Sequence, residues 1–222
     1  PTAVRLLPHL HDIFVREAVT IVHAHAVCTM SLECIVLASL LGYRVVYTEH
    51  SNYSIDDDVV DYLLNRLCRA VLWQADAVIG VSQATRENVL RRCHLESLKV
   101  HTIPNAVDTT QFQPCVANVH PDHDGASVNI VVMSRFVWRK GIDLLVQVVP
   151  EVCQRHPHVH FIIGGDGPKR AALEQMRVRH QLQDRIELLG MVPQEEVPAV
   201  LTRGHIFLNT SRTEAFCIGI LE

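Results

Sequence analysis

Short apolar runs recur along this chain, each followed by a longer amphipathic stretch, and the series halts once and then restarts. Residues 19–24 (VTIVHA), 44–48 (RVVYT), 77–81 (AVIGV) and 100–103 read as strands, separated by helices over 29–41, 56–73 and 82–92. The runs are apolar throughout and do not alternate, as expected of strands covered by helices on both faces. Regular strand–helix succession predicts a parallel α/β sheet. Gly42 ends the first helix and Ser82 is placed to cap the third. Asp56, Asp57 and Asp58 open the second, where the helix dipole favours negative charge.

Between 108 and 127 the periodicity is lost among Pro114, Pro121, Gly125 and several Asn and Asp residues, the composition of a linker. The pattern then resumes, with strands over 129–133, 160–163, 185–189 and 206–209, and helices over 141–156, 169–180 and 194–202. A last helix is expected to begin after Thr213. The predicted organisation is a partial N-terminal Rossmann-like domain over 1–111, a linker over 112–127 and a partial C-terminal Rossmann-like domain over 128–222. The chain begins at Pro1 and stops at Glu222 in mid-pattern, so it is expected to be a piece of a longer protein, cut at both ends.

Charge and composition exclude several roles. The net charge is −4 and the 20 basic residues form no stripe, so no nucleic-acid partner is expected. Seven cysteines, an odd number without a C-x-x-C pair, read as free thiols in a reducing compartment. The 14 histidines include neither H-E-x-x-H nor a Cys/His array of zinc spacing. No apolar run reaches the ~18 residues that a spanning helix needs.

In open parallel sheets ligands bind beyond the carboxyl ends of the strands, so the residues after each strand are the candidates for chemistry. His23 and His25 fall on one face of an extended chain, a metal pair only if a third ligand joins them. His50, after Glu49, is placed either to hydrogen-bond a substrate or exchange a proton with it, or to serve structure alone. Arg135, Arg139 and Lys140 precede a helix opening at Gly141. Dipole, free N–H groups and side-chain charge would together hold an anion there, the alternative being a solvated basic loop. Residues 164–168 (GGDGP) complete neither G-x-G-x-x-G nor a P-loop, so a turn requiring positive φ is favoured over a phosphate cradle. Glu214 and Glu222, if on one helix, would lie about 12 Å apart along its axis. Glycosidase carboxyl pairs sit roughly 5–10 Å apart, so these two suit different parts of one long ligand.

Taken in order, Thr48-Glu49-His50, residues 103–108 (IPNAVD), Ser134-Arg135 with Arg139-Lys140-Gly141, residues 164–168, Asn209-Thr210-Ser211, and Glu214 with Glu222 form a recognisable series. This series resembles the family-4 retaining glycosyltransferases of the GT-B fold, an α/β architecture of two Rossmann-like parallel-sheet domains, for which E-x7-E is a signature. His23-Ala24-His25, 82–88, 137–145, 161–170 (FIIGGDGPKR), 204–211 (GHIFLNTS) and 213–217 (TEAFC) are similar to the branch that begins glycosylphosphatidylinositol-anchor synthesis.

The resemblance implies a hexosyltransferase moving N-acetylglucosamine from UDP-N-acetylglucosamine to phosphatidylinositol with retained configuration, without a metal. It further implies partner subunits and the cytoplasmic face of the endoplasmic reticulum membrane. Arg135 and Lys140 would neutralise the departing diphosphate, Glu214 would bind hydroxyls of the donor sugar and Glu222 the ribose. Backbone N–H groups of Phe216 and Cys217 would meet phosphate at a helix start, with the backbone of Gly165 and Gly167 close to the ligand. His50 would face the donor sugar and acceptor, and Asn105 would lie nearby. Three other readings stay open: a family-4 transferase with another sugar or acceptor, a noncatalytic or truncated nucleotide-sugar-binding subunit, and a GT-B-fold epimerase of UDP-sugars. The family's first strand with its glycine-rich loop would precede Pro1, and further strands and a membrane anchor would follow Glu222. The piece alone is therefore expected to be inactive or nearly so.

Overall fold

The computed structural model describes residues 3–55, 58–113 and 127–222, with side chains from residue 8 onward. Asp56, Asp57, Cys115 and most of the expected linker (114–126) lie outside the described residues. The chain divides into two compact units: Pro1–Asn105 with Glu214–Phe216, and Ala106–Thr213 with Cys217–Glu222.

In the first unit, α1 (Ala3–Arg16) leads into β1 (Ile21–His25), α2 (Thr29–Leu40), β2 (Arg44–Glu49), α3 (Val59–Leu72), β3 (Ala77–Gly80), α4 (Gln83–Cys93) and β4 (Val100–Thr102). The four strands are parallel, in the order β1-β2-β3-β4. Three side chains accept the N–H groups that the helix starts leave unpaired: Ser82 takes that of Thr85 at 3.1 Å, Asp58 that of Asp61 at 2.8 Å, and the Cys28 thiol that of Ser31 at 3.4 Å. Ile35, Ala38, Val45, Tyr47, Leu72, Val78 and Val89 form a core closed to solvent. The sequence reading did not anticipate α1. Leu10, Ile13 and Phe14 have helical spacing, but Pro8 inside the helix obscures the pattern. Phe14 packs edge-on against Tyr43, ring centres 5.3 Å apart.

The second unit contains β5 (Val128–Met133), α5 (Ile142–Arg155), β6 (Val159–Gly164), α6 (Arg170–Arg179), β7 (Ile186–Gly190), α7 (Val197–Leu201) and β8 (Ile206–Phe207). Its strands are also parallel, in the order β7-β6-β5-β8. The unbroken apolar run of β6 has a direct cause. Phe161 and Ile163 pack in one cluster with Ile142, Leu145, Val149 and Leu173, while Ile162 joins Val131 and Val200 in another. Each buried side chain of this size contributes about 1.5–3 kcal/mol.

One expected element is missing. No α-helix begins after Thr213; that segment is irregular up to a three-residue 3-10 turn, Ile218–Ile220. Gly219 lies inside the segment, and a glycine within a helix costs about 0.5–1 kcal/mol relative to alanine. Gly219 instead packs closely on the Phe207 ring. Glu214 and Glu222 therefore share no helix, and the axial separation expected of them does not apply. Phe216 and Cys217 precede the 3-10 turn Ile218–Ile220 and not an α-helix.

Candidate functional site

At the carboxyl ends of β1 and β2 three histidines meet. His23 and His25 fall on the exposed face of β1, and His50 is the first residue beyond β2. His25 Nδ1 lies 3.0 Å from His50 Nε2, and His23 Nε2 lies 2.8 Å from the Thr48 hydroxyl. The His23 and His25 ring centres are 4.3 Å apart, those of His25 and His50 5.3 Å. Partial burial, then the neighbouring rings, hold His23 and His50 below the ordinary histidine pKa. Lowered in this way, His23 and His50 favour their neutral forms. Among the described residues no group of three His, Cys, Asp or Glu side chains is arranged to hold a metal ion.

Behind His50 lies a polar cluster. Glu49, the last residue of β2, is fully buried, as is the Arg92 side chain from α4. Arg92 Nη2 donates to Glu49 Oε2 at 2.9 Å, and the Tyr47 hydroxyl donates to the same oxygen at 3.0 Å. Glu49 Oε1 accepts the backbone N–H groups of His50 at 3.0 Å and Ser51 at 3.1 Å. Burial pushes the Glu49 carboxyl up and Arg92 opposes the shift. Four donors on one carboxylate favour its ionised form. Sequence reasoning gave Glu49 no role beyond its place in the motif and missed Arg92. The available signal was a lone carboxylate ending an otherwise apolar strand.

In the second unit the basic segment folds as expected up to the helix start. Trp138–Lys140 is a 3-10 turn and Gly141, at φ +67°, leads into α5. Arg135 and Arg139 are exposed and Lys140 is half-buried. The Lys140 carbonyl accepts the Thr210 hydroxyl at 3.0 Å, and the Arg139 carbonyl accepts the Arg212 N–H at 3.0 Å. Arg212 pairs with Asp143 in the first turn of α5 and lies 4.9 Å from the centre of the Trp138 ring. These contacts tie the residues after β8 to the basic segment; the Asp143–Arg212 pair, 69 positions apart, had no local signal.

The glycine turn after β6 packs on the same segment. Gly165 and Gly167 have φ of +134° and +149°, and a β-carbon on either would collide with backbone of Ser134 or Phe136. Phe136 N–H donates to the Asp166 carbonyl at 2.8 Å, and Lys169 N–H to that of Phe136 at 2.9 Å. Close backbone approach thus explains both glycines. The Ser134 hydroxyl oxygen is buried without a hydrogen-bond partner among the described residues.

The expected site residues are distributed as follows. His50 and Asn105 belong to the first unit, to which Glu214 and Phe216 are also assigned. Arg135, Lys140, Gly165, Gly167, Cys217 and Glu222 belong to the second. Asn209 Nδ2 donates to the Cys217 sulfur at 3.0 Å, and Glu222 N–H to the Ile218 carbonyl at 3.1 Å.

Two parallel four-stranded sheets with helices on their faces, and polar residues gathered beyond the carboxyl ends of the strands, are the architecture of GT-B glycosyltransferases. Residues 1–111 match Glycosyltransferase Family 4 and residues 127–222 match Glycosyl transferases group 1, and the chain belongs to glycosyltransferase family 4. A curated protein of Arabidopsis thaliana, named as a subunit of phosphatidylinositol N-acetylglucosaminyltransferase, is 49% identical over the whole chain, which covers 49% of that protein. Its namesake from Homo sapiens is 47% identical over 97% of the chain, which covers 44% of it. The chain thus spans about half the length of the curated relatives it matches. Among solved structures, Anabaena HepE in complex with UDP and glucose superimposes on 99% of the chain and 59% of its own, with a TM-score of 0.77 and 17% identity.

Proposed function

We propose that this chain is the sugar-transferring part of a phosphatidylinositol N-acetylglucosaminyltransferase, which performs the first step of glycosylphosphatidylinositol-anchor synthesis. The observation that carries this reading is identity of 49% and 47%, across all or nearly all of the chain, to two curated proteins named for that enzyme. Relatives named for other transfers, a kanosaminyltransferase and a 2-deoxystreptamine glucosyltransferase, are only 24% and 26% identical over shorter stretches.

On this reading the inositol hydroxyl attacks the anomeric carbon of UDP-N-acetylglucosamine on the face from which UDP departs. The bond from that carbon to the β-phosphate oxygen breaks, the new glycosidic bond forms, and the hydroxyl proton passes to the departing phosphate. Arg135 and Lys140 stabilise the charge developing on the diphosphate, the kind of contribution that most lowers such barriers. Because these cations carry the charge, no metal is required. Glu214 binds hydroxyls of the donor sugar, Glu222 the ribose, and backbone N–H groups of Phe216 and Cys217 the phosphate. The backbone at Gly165 and Gly167 borders the donor, with Asn105 nearby. His50 faces the donor sugar and acceptor. The transferase works with partner subunits at the cytoplasmic face of the endoplasmic reticulum membrane.

The test is transfer of labelled N-acetylglucosamine by the assembled transferase in membranes, with phosphatidylinositol compared against other phospholipids and with a chelator in parallel. Product on phosphatidylinositol alone, undiminished by the chelator, is the expected result. Equal transfer to an unrelated acceptor would refute the acceptor assignment, and loss with the chelator the metal-free chemistry.

A further inference from the structure

The pair behind His50 is built at a cost that stability does not explain. Breaking or leaving incomplete a buried ion pair is expensive, and even a complete one often adds little to stability over apolar residues of the same volume. Arg92 is closed to solvent, yet its Nε and Nη1 have no hydrogen-bond partner among the described residues. Its guanidinium lies 4.7 Å from the centre of the Tyr53 ring. The carboxylate it holds does one thing that an apolar replacement could not: Glu49 Oε1 fixes two successive backbone N–H groups, those of His50 and Ser51, where β2 ends.

The chain beyond is held from the same side. Asn88, on the same helix as Arg92, accepts the Tyr53 N–H at 3.3 Å and donates to the Tyr53 carbonyl at 2.8 Å. Asn65 of α3 donates to the Ser54 carbonyl at 3.2 Å. Helix α4 therefore clamps both ends of the segment 49–53, through Glu49 and through Tyr53, and His50 is carried between the two clamps. His50 is exposed, and its ring is engaged at Nε2 by His25.

From this geometry we propose that Glu49, fixed by Arg92, is the positioning residue of His50. It sets the backbone at the strand end so that the ring meets His25 on one side and the sugar substrate on the other. This rests on the reading of His50 given under the proposed function. A substrate-facing ring displaced by about 1 Å costs up to roughly a hundredfold in rate, whereas a purely structural pair would lower the amount of folded protein and leave its turnover intact.

The test uses the assembled transferase with Glu49→Gln, His50→Ala and the two combined. Glutamine matches the shape but offers one acceptor oxygen, so it cannot serve both the amides and the Arg92–Tyr47 donors. Glu49→Gln is expected to lower kcat by about tenfold to a hundredfold with the KM for UDP-N-acetylglucosamine unchanged, and to add no further loss to His50→Ala. Should Glu49→Gln fail to accumulate, Glu49→Asp, which keeps the charge but withdraws it from the amides, is expected to give the same kcat loss and the same absence of effect on His50→Ala. A kcat at the wild-type level while His50→Ala is inactive would overturn the positioning role alone. So would a loss that multiplies with that of His50→Ala. Full activity of His50→Ala would overturn the reading of the site, and the positioning role with it.

Discussion

The backbone carbonyl of Ser134 occupies the place where position 165 would put a β-carbon, and Gly165 holds a φ of +134° that side-chain-bearing residues rarely adopt. The end of β5 and the turn after β6 are therefore joined through a contact that only glycine allows. Gly165→Ala should cost roughly 2–4 kcal/mol by combining backbone strain with overpacking. Denaturant unfolding of the second unit measures this, and an unchanged midpoint would show that the Ser134 segment can move aside.

Arg92→Met removes one partner of a fully buried pair and leaves the Glu49 charge uncompensated. A loss of about 3–5 kcal/mol is expected. Adding Glu49→Leu should recover part of it, since no unpaired charge then remains. Thermal melting of the two variants compares these values, and a double variant no more stable than the single one would contradict the account.

Stability should depend on pH through the histidine cluster. His23 and His50 have folded-state pKa values below their ordinary 6.5, through burial first and neighbouring histidines second. The unfolded chain consequently binds more protons than the folded one in mildly acidic solution. The associated stability is complete above 6.5 and is lost as pH falls through the folded-state values. Melting temperature should decline below about pH 6.5, less so in His23→Gln, and NMR titration should show both rings losing their proton below 6.5.

Arg135→Ala and Lys140→Ala should each reduce kcat by about a hundredfold or more, because the charge they meet develops as the diphosphate leaves. If only the KM for the donor rises, these cations serve binding without distinguishing the transition state.

Thiol reactivity should separate the cysteines by environment. Cys28 is exposed, and hydrogen bonds from Ser31 draw its pKa down. Cys93 is buried and desolvation pushes it up to about 11. Brief alkylation of the folded protein near neutral pH should label Cys28 well before Cys93. Mass spectrometry of the peptides gives the order directly, and equal labelling would indicate an opened first unit.

Much of this architecture is written in local patterns. Apolar runs mark β2, β5 and β6, Ser82 marks the start of α4, and Arg135 to Gly141 mark the approach to α5. These depend on neighbours within a turn or two, so one sequence suffices to read them. Other features depend on where the sheets bring distant residues. Glu49 meets Arg92 across 43 positions and Arg212 meets Asp143 across 69, and no short spacing announces either pair. The segment after Thr213 misled for the opposite reason. Its E-x7-E spacing suits a helix, but Gly219 within it disfavours one and packs on the Phe207 ring instead. Helix α1 escaped notice because Pro8 interrupts an otherwise regular apolar face.

The order of strands also sets the order in which they can form. In the first unit each strand pairs with the next in sequence, so β2, β3 and β4 can join as they leave the ribosome. In the second, β5 gains β6 soon after it but receives β8 on its other edge only when Ile206 and Phe207 arrive, 76 residues after Ile130 and Val131. Until then that edge presents unpaired backbone groups, the condition that invites wrong pairing. Among the described pairings β5 therefore waits longest for its second partner, and a slowed or interrupted ribosome between β7 and β8 would expose that edge most.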